Sequence, residues 1–440
     1  MKKRWYVSLL IGSLLIVLSL GGFLFKEKET KMTKEATYWV LSDNHYIDKS
    51  LYDEGSEFQR IQTTAAGKEL LYQKESLKAL VDAAIQKQPK GIIMTGDITL
   101  NGERKSAEEL AKLLKPLEEN GIECWVIPGN HDINDGWARS FQGDKAYKTE
   151  QISPKDFERL FDMSYQNAKD RDPHSLSYLI DASDNTQFLL LDTAIYGKAN
   201  GTTNPQTKGR LKEETLAWMT THLDKAKKEG KETLVFMHHN LLQHNPLIYE
   251  GFVLENSQEL ETLLTNYSVP LVFSGHTHAQ GIKKSEPSGL VEVVSSSFSI
   301  TEQSYGEIRI SPENISYKKK SLNVDEWAKN NGLIDDNLLN YQAYTKKLFV
   351  EDGQKMAYGQ LIESGIYDES ILDPIAYFVG EMNWRYFTGN TPKSLAEEES
   401  LKKEEGYQLL KEYSPGLLDY ADSIIRFDSD KLTIDIPLND

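Results

Sequence analysis

Asp43 and His45 stand two residues apart, and residues of the same kinds return along the chain: Asp97, then Asn130, His131 and Asp132, then His238 and His239, then His276 and His278. Carboxylate, imidazole and amide oxygens together suit borderline or harder divalent ions such as Mn, Fe, Zn or Ni. A thiolate zinc finger is excluded, because the chain has one cysteine. Asp43, His45, Asp97, Asn130, His238, His276 and His278 make seven donors, more than one ion takes. They fit two ions about 4 Å apart that share one carboxylate, an arrangement used in metal-assisted hydrolysis.

Such a cluster needs elements that bring distant residues together. Each group follows a short apolar run, at residues 36–42, 91–95, 124–127, 233–237 and 270–274. Short apolar runs bounded by Gly, Asp or Asn read as strands. Between them, helical apolar spacing predicts helices over 68–87 (Leu70, Leu71, Leu77, Leu80, Val81, Ala84 and Ile85), 106–119, 213–228 and 257–266. Further strands are predicted at 178–180, 188–191, 291–294 and 307–310. Strand and helix in alternation point to an α/β fold, whose strand ends face one crevice. Residues 133–176 are more polar and read as looser.

The ordered blocks Asp-x-His, Gly-Asp, Gly-Asn-His-Asp, His and Gly-His-x-His resemble those of the calcineurin-like metallophosphoesterase superfamily, over roughly residues 36–312. Gly96-Asp97-Ile98-Thr99, Leu191-Asp192-Thr193 and the helix around Leu216-Ala217-Trp218 are most similar to the class III cyclic nucleotide phosphodiesterases. The resemblance implies a four-layer α/β/β/α sandwich. It implies one ion on Asp43, His45, Asp97 and His278, and a second on Asp97, Asn130, His238 and His276, with Asp97 bridging. Of His238 and His239 it favours the first. His131 corresponds to the catalytic histidine beside the leaving oxygen. Asp132 either orients His131 or caps the following turn. The expected reaction is hydrolysis of small phosphodiesters, such as cyclic nucleotides, by a hydroxide bridging two divalent ions (Mn, Fe or Zn). An imidazole with a reference pKa near 6.5 can then protonate the departing alkoxide. The alternative is an extracellular phosphomonoesterase or nucleotidase using the same ligands. The full ligand set and His131 oppose a non-catalytic scaffold.

The remaining candidates have plainer readings. Cys124, within an apolar run, reads as a buried strand thiol rather than a nucleophile. His174 and His222 read as structural, and His244 as a possible substrate contact. Tyr377, Phe378, Trp384, Tyr386 and Phe387 have the spacing of a helical core, with base stacking as the rival.

The 440 residues carry 67 acidic and 50 basic side chains, a net charge of −17. That balance argues against a nucleic-acid-coating protein, which needs a basic face, but not against a small phosphoester at a local metal cluster. Residues 6–25 contain no charge and follow Lys2, Lys3 and Arg4. A helix of that length spans about 30 Å, the thickness of a bilayer core, and the preceding cations place the rest of the chain outside. Residues 1–25 therefore read as a membrane anchor, or a secretory leader if cleaved, and 26–34 as a tether. The catalytic domain is expected at 35–320, on the extracellular face of the cell membrane. The run Lys318-Lys319-Lys320 marks a composition shift. A second, mostly helical domain is expected at 321–440, ending in a short strand at 432–436.

Overall fold

Two β-sheets lie face to face, because each presents an apolar surface that the other covers. The computed structural model describes residues 35–427 and 429–438, so the predicted anchor and tether lie outside the described residues. The first sheet has six strands in the spatial order Thr433–Pro437, Asn314–Ser321, Ser304–Ile310, Ala36–Leu41, Gly91–Thr95 and Glu123–Ile127. The second has seven, in the order Gly281–Lys284, Val291–Val294, Leu271–Ser274, Glu232–Met237, Thr186–Leu191, Tyr178–Ser183 and Asp170–Arg171. Ala36–Leu41, Gly91–Thr95 and Glu123–Ile127 run parallel, as do Thr186–Leu191, Glu232–Met237, Leu271–Ser274 and Val291–Val294. Parallel strands are buried on both faces, which is why they read as unbroken apolar runs.

The facing surfaces meet in a seam of aromatic rings. Tyr38, Trp125 and Tyr317 come from the first sheet, and Phe188, Phe236 and Phe273 from the second. Tyr38 meets Phe188 edge-on at 5.0 Å between ring centroids, and Phe236 stacks on Phe273 at 4.9 Å. Each fully buried large apolar side chain contributes about 1.5–3 kcal/mol. Strand alternation sends Leu189, Leu191, Val235 and Val272 to the opposite face. There they pack on Leu216, Met219, Leu223, Leu260 and Leu264 of the helices Glu213–Glu229 and Ser257–Asn266. Helices Gln73–Lys87 and Arg104–Glu119 cover the first sheet through Leu77, Leu80, Ala84, Leu110, Leu114 and Leu117. The layers are therefore α/β/β/α, as expected.

Three local expectations change. The helix predicted over 68–87 starts at Gln73, and a separate helix, Ser56–Thr63, precedes it. Between them Ala66 and Gly67 take positive φ, and the Glu69 carboxylate accepts the amides of Leu71 and Tyr72 at 2.7 and 3.0 Å. A side chain that captures those amides replaces the helical turn that the spacing of Leu70 and Leu71 suggested. Within the stretch read as loose, Arg139–Gln142 and Lys145–Lys148 form a hairpin. The lysine run lies inside the strand Asn314–Ser321, where buried Lys319 binds Glu302 and donates to the Thr388 carbonyl at 2.7 Å.

The chain beyond is helical. Helices Tyr341–Glu363 and Glu369–Thr388 pack together, and Leu395–Leu401, Glu405–Tyr413 and Pro415–Ile424 complete a core around Leu361, Ile375, Phe378, Met382, Leu410 and Leu417. Phe378 meets Tyr407 at 5.9 Å and Phe387 meets Phe349 at 5.2 Å, so these two rings serve packing, whereas Tyr377, expected in the same core, is 60% exposed. The final strand, Thr433–Pro437, returns to pair with Asn314–Ser321 of the first sheet.

Candidate metal centre

All seven predicted ligands sit just past the carboxyl ends of five strands, where the two sheets open at the same side. Backbone bonds fasten these loops to one another: Asp43 N to Gly96 O at 3.0 Å, His45 N to Asp97 O at 2.9 Å, and Gly275 N to His238 O at 3.0 Å. Side chains add the Asp43 carboxylate accepting the His276 amide at 3.0 Å, and Asp97 accepting the His131 amide at 2.8 Å. The packing is close enough to require glycine: a Cβ on Gly129 would lie 2.3 Å from Asp97 Oδ1, and one on Gly275 1.9 Å from Ser42 Oγ.

The backbone is bent to aim these groups. Asp43, His45, Asp97, His276 and His278 have φ of 56°, 44°, 48°, 68° and 58°. For residues with a Cβ this left-handed region costs about 1–2 kcal/mol each. Strain of that kind concentrates at functional sites.

Two donor groups result. Asp43, His45, Asp97 and His278 form one, and Asp97, His238 and His276 the other, with the ligand atoms of each group within 4.8 Å of one another. Asp97 is common to both. Asn130 Oδ1 lies 3.1 Å from His238 Nε2 and extends the second group. Outer contacts select the ligating nitrogens. His238 Nδ1 meets the Thr95 carbonyl at 2.8 Å, leaving Nε2 for the cluster. His276 Nε2 meets the Thr207 carbonyl at 2.9 Å, leaving Nδ1.

These residues fit a pair of divalent cations. Asp43 Oδ1 is buried without a hydrogen-bond partner. The Nε2 atoms of His45 and His278 are 3.1 Å apart, a contact that needs a proton or a cation between two lone pairs. The donors are oxygen and nitrogen throughout, which suits Mn, Fe or Zn. Burial drives the His45 and His278 imidazoles towards the neutral form that ligates, and takes His276 down to about 3. His238 goes the other way: burial is outweighed by the Asp97 carboxylate beside it, and its pKa rises to about 9. Burial would raise the Asp97 carboxyl, but His238 and His131 hold it well below the usual range.

His131 stands next to this cluster, its ring 5.3 Å from that of His45. Its Nδ1 lies 3.0 Å from Asn101 Oδ1 and 3.4 Å from Asp135 Oδ2. Burial lowers its pKa, but Asp97 and Asp135 raise it more, so the ring holds a proton above the ordinary histidine value. Asp132 does not orient His131. Its carboxylate accepts the Gly129 amide at 2.8 Å, the Thr99 amide at 2.9 Å and the Thr99 hydroxyl at 2.8 Å, which ties the 97–99 loop to the 129–132 loop. Asn101 and Asp135 do the work expected of Asp132, and the four-residue interval from His131 to Asp135 was the available signal.

The other candidates are not among the donors, although the His239 ring packs on that of His276 at 4.5 Å. Buried His239 turns Nδ1 to the Thr193 hydroxyl at 2.8 Å. His244 meets Glu292 at 3.1 Å, and Glu292 also receives the amides of Leu241 and Leu242, so His244 helps to hold the loop after His238. His222 pairs with Asp170 at 2.7 Å on a helix surface. His174 caps its turn through its amide, which donates to Asp172 at 3.0 Å. The Cys124 thiol is buried and pushed up to about 12, which excludes a thiolate nucleophile.

A cleft of about 460 Å³ opens onto the centre, lined among others by His45, Lys68, Asn101, His131, Trp137 and Arg139. Lys68, Trp137 and Arg139 were not found from the sequence, because they lie on a loop and a hairpin that local pattern misread.

Residues 36–280 match the family model described as calcineurin-like phosphoesterase, and 323–431 match one described as the C-terminal domain of cyclic nucleotide phosphodiesterase. A 3',5'-cyclic-nucleotide phosphodiesterase of Nostoc sp. is 26% identical over 231 residues, 52% of this chain and 68% of that protein. A 3',5'-cyclic adenosine monophosphate phosphodiesterase of Haemophilus influenzae is 28% identical over 190 residues, 43% of this chain and 54% of that protein. Across the curated relatives the match spans 54–68% of their length. Among solved structures, a dimetal phosphatase from Danio rerio aligns with a TM-score of 0.49 at 14% identity, covering 65% of this chain and 96% of that one.

Proposed function

Since this chain belongs to the calcineurin-like phosphoesterase family, we propose that it hydrolyses small phosphodiesters, with cyclic nucleotides as the substrate class. The observation that carries this reading is the pair of donor groups sharing Asp97, with His131 fixed beside them. Asp43, His45, Asp97 and His278 would hold one divalent ion, and Asp97, Asn130, His238 and His276 the other. When bound, such a pair supplies a water activated near neutral pH and offsets charge on the phosphoryl oxygens. The chain's own residues do the rest. Asn101 and Asp135 anchor Nδ1 of His131, so Nε2 is presented to the cleft. Asp97 and Asp135 raise its proton affinity, which suits a group that protonates a departing alkoxide. Alkoxides leave poorly without a proton, which favours diesters of alcohols over monoesters of better leaving groups.

The test is a substrate comparison. The full chain, purified in detergent and loaded with Mn, is assayed on bis-p-nitrophenyl phosphate beside p-nitrophenyl phosphate, then on cyclic nucleotides. A higher kcat/KM for the diester and turnover of a cyclic nucleotide are expected. A preference for the monoester would overturn the diester reading in favour of a phosphomonoesterase or nucleotidase.

We further propose that this site works outside the cell membrane, on the evidence of the uncharged run 6–25 behind Lys2, Lys3 and Arg4. External protease should then degrade the catalytic region in intact cells while cytosolic markers survive. Protection until lysis would sink the proposal.

A further inference from the structure

The loop between the helices Ser56–Thr63 and Gln73–Lys87 carries Lys68 to the cleft, where it lines the wall with His45 and His131. The loop is clamped from behind by the helix Tyr341–Glu363. Gly67, at φ +71°, lies against the Phe349 ring so closely that an added Cβ would sit 2.5 Å from it. The Gly67 amide bonds to Asp352. Buried Glu69 takes the Tyr341 hydroxyl at 3.0 Å, besides the Leu71 and Tyr72 amides, and its own amide donates to Ser299 O at 2.7 Å. Tyr341, Phe349 and Asp352 all belong to that one helix.

Held this way, Lys68 is half-buried and short of partners. Among the described residues no carboxylate forms an ion pair with it, and its ammonium donates to the Ala65 carbonyl at 3.4 Å. Asp43, Asp97 and Asp352 act on it from a distance, and its charge in turn reaches His45, His131 and His278. Two of those acids are candidate metal ligands, whose charge bound cations would offset. Of the other cations of the cleft, Arg60 forms a double pair with Glu57 at 2.7 and 3.0 Å, and Arg139 turns one nitrogen to the carbonyls of Gly136 and Ala138 at 2.9 and 2.8 Å. A desolvated ammonium without a counter-ion is costly unless an anion arrives.

We propose that Lys68 binds a non-bridging oxygen of the substrate phosphate, and that the helix Tyr341–Glu363 is the positioning element that holds it there. This rests on the phosphoesterase reading and assigns the helical region a part in the same site.

The test uses the full Mn-loaded chain, with inorganic phosphate as ligand and bis-p-nitrophenyl phosphate as substrate. Lys68→Ala should weaken phosphate binding, measured by calorimetry, about 10-fold or more, and lower kcat/KM by about 10²-fold, the loss seen when one preorganised donor is removed. Metal content should stay at the parent level. Lys68→Met, which keeps the aliphatic stem, should behave as Lys68→Ala, and Lys68→Arg should recover part of the affinity. Phosphate binding reads Lys68 even if the diester proves a poor substrate, so this proposal and the substrate reading fail separately. Unchanged phosphate affinity in both Lys68→Ala and Lys68→Met overturns the assignment, and so does loss of metal. Phe349→Ala should reproduce part of the defect in the parent and add little to Lys68→Ala. Equal losses in both backgrounds would remove the helix from the proposal.

Discussion

The same strands build two buried regions of opposite character. Ala36–Leu41 gives Tyr38 to the aromatic seam and then passes into Asp43 and His45. Glu232–Met237 gives Phe236 and then His238, and Leu271–Ser274 gives Phe273 and then His276 and His278. Within the strands the backbone is relaxed and ring packs on ring. A few residues later it turns left-handed, glycine becomes obligatory, and buried carboxylates and imidazoles lie within about hydrogen-bonding distance of one another, as at His238 and Asp97 (3.3 Å). The seam stabilises the fold. The strand ends cost stability and supply the chemistry. Placing the costly loops directly on the most stable strands keeps strained geometry in position without help from the loops themselves.

The contrast can be broken most severely at Asp97. Asp97→Asn removes the carboxylate common to both donor groups, so metal content and turnover should fall together. The loss should exceed the roughly 100-fold that even outer partners of metal ligands reach. Stability of the metal-free protein should fall, since His238 and His131 lose the buried carboxylate that they hold ionised. Two bound metals and near-normal turnover in this variant would refute the shared-ligand assignment.

His131→Ala should slow alkyl diesters by about 10²–10⁴-fold, the range of general acid catalysis, while nitrophenyl esters suffer much less. Metal content should stay as in the parent. A plot of log kcat against leaving-group pKa should steepen in the variant. Parallel lines would assign His131 to positioning instead.

Phe236→Ala probes the opposite region. Urea unfolding should show a loss of about 3–5 kcal/mol, the cost of emptying a buried aromatic site. At a temperature where the variant remains folded, metal affinity should change little. A weakened metal site with intact stability would reverse the division between seam and strand ends.

The smallest effect is expected at Glu103, whose side chain accepts the Asn101 amide at 3.1 Å while its other oxygen is buried without a partner. Burial pushes its pKa up to about 8. The folded chain therefore holds this proton more tightly than the unfolded one, and stability should fall as pH rises from about 4.5 to about 8. Glu103→Gln should flatten that fall, gaining on the parent at pH 8.5 relative to pH 5. Urea midpoints that keep the parental slope would remove Glu103 as its source.

The sequence by itself determined the alternation of strands and helices and the ligand types, while the layers came from its resemblance to a known family. Apolar runs ending in Gly-Asp, Gly-Asn-His or Gly-His can be read because a parallel strand must be apolar on both faces and a metal admits few donor types. Those constraints act residue by residue, so Asp43, Asp97, His238 and His278 were visible one at a time. Only the tertiary structure decided what surrounds them. Asp132 and Asp135 are equally plausible partners for His131 along the chain, and the choice fell to which carboxylate the Thr99 and Gly129 amides claimed first. Lys68 looked like the first turn of a helix until Glu69 captured the amides ahead of Gln73 and the Phe349 ring closed on Gly67. The strand Thr433–Pro437 pairs with one more than a hundred residues earlier. Such contacts join groups far apart in sequence, and local spacing carries no record of which distant group will arrive.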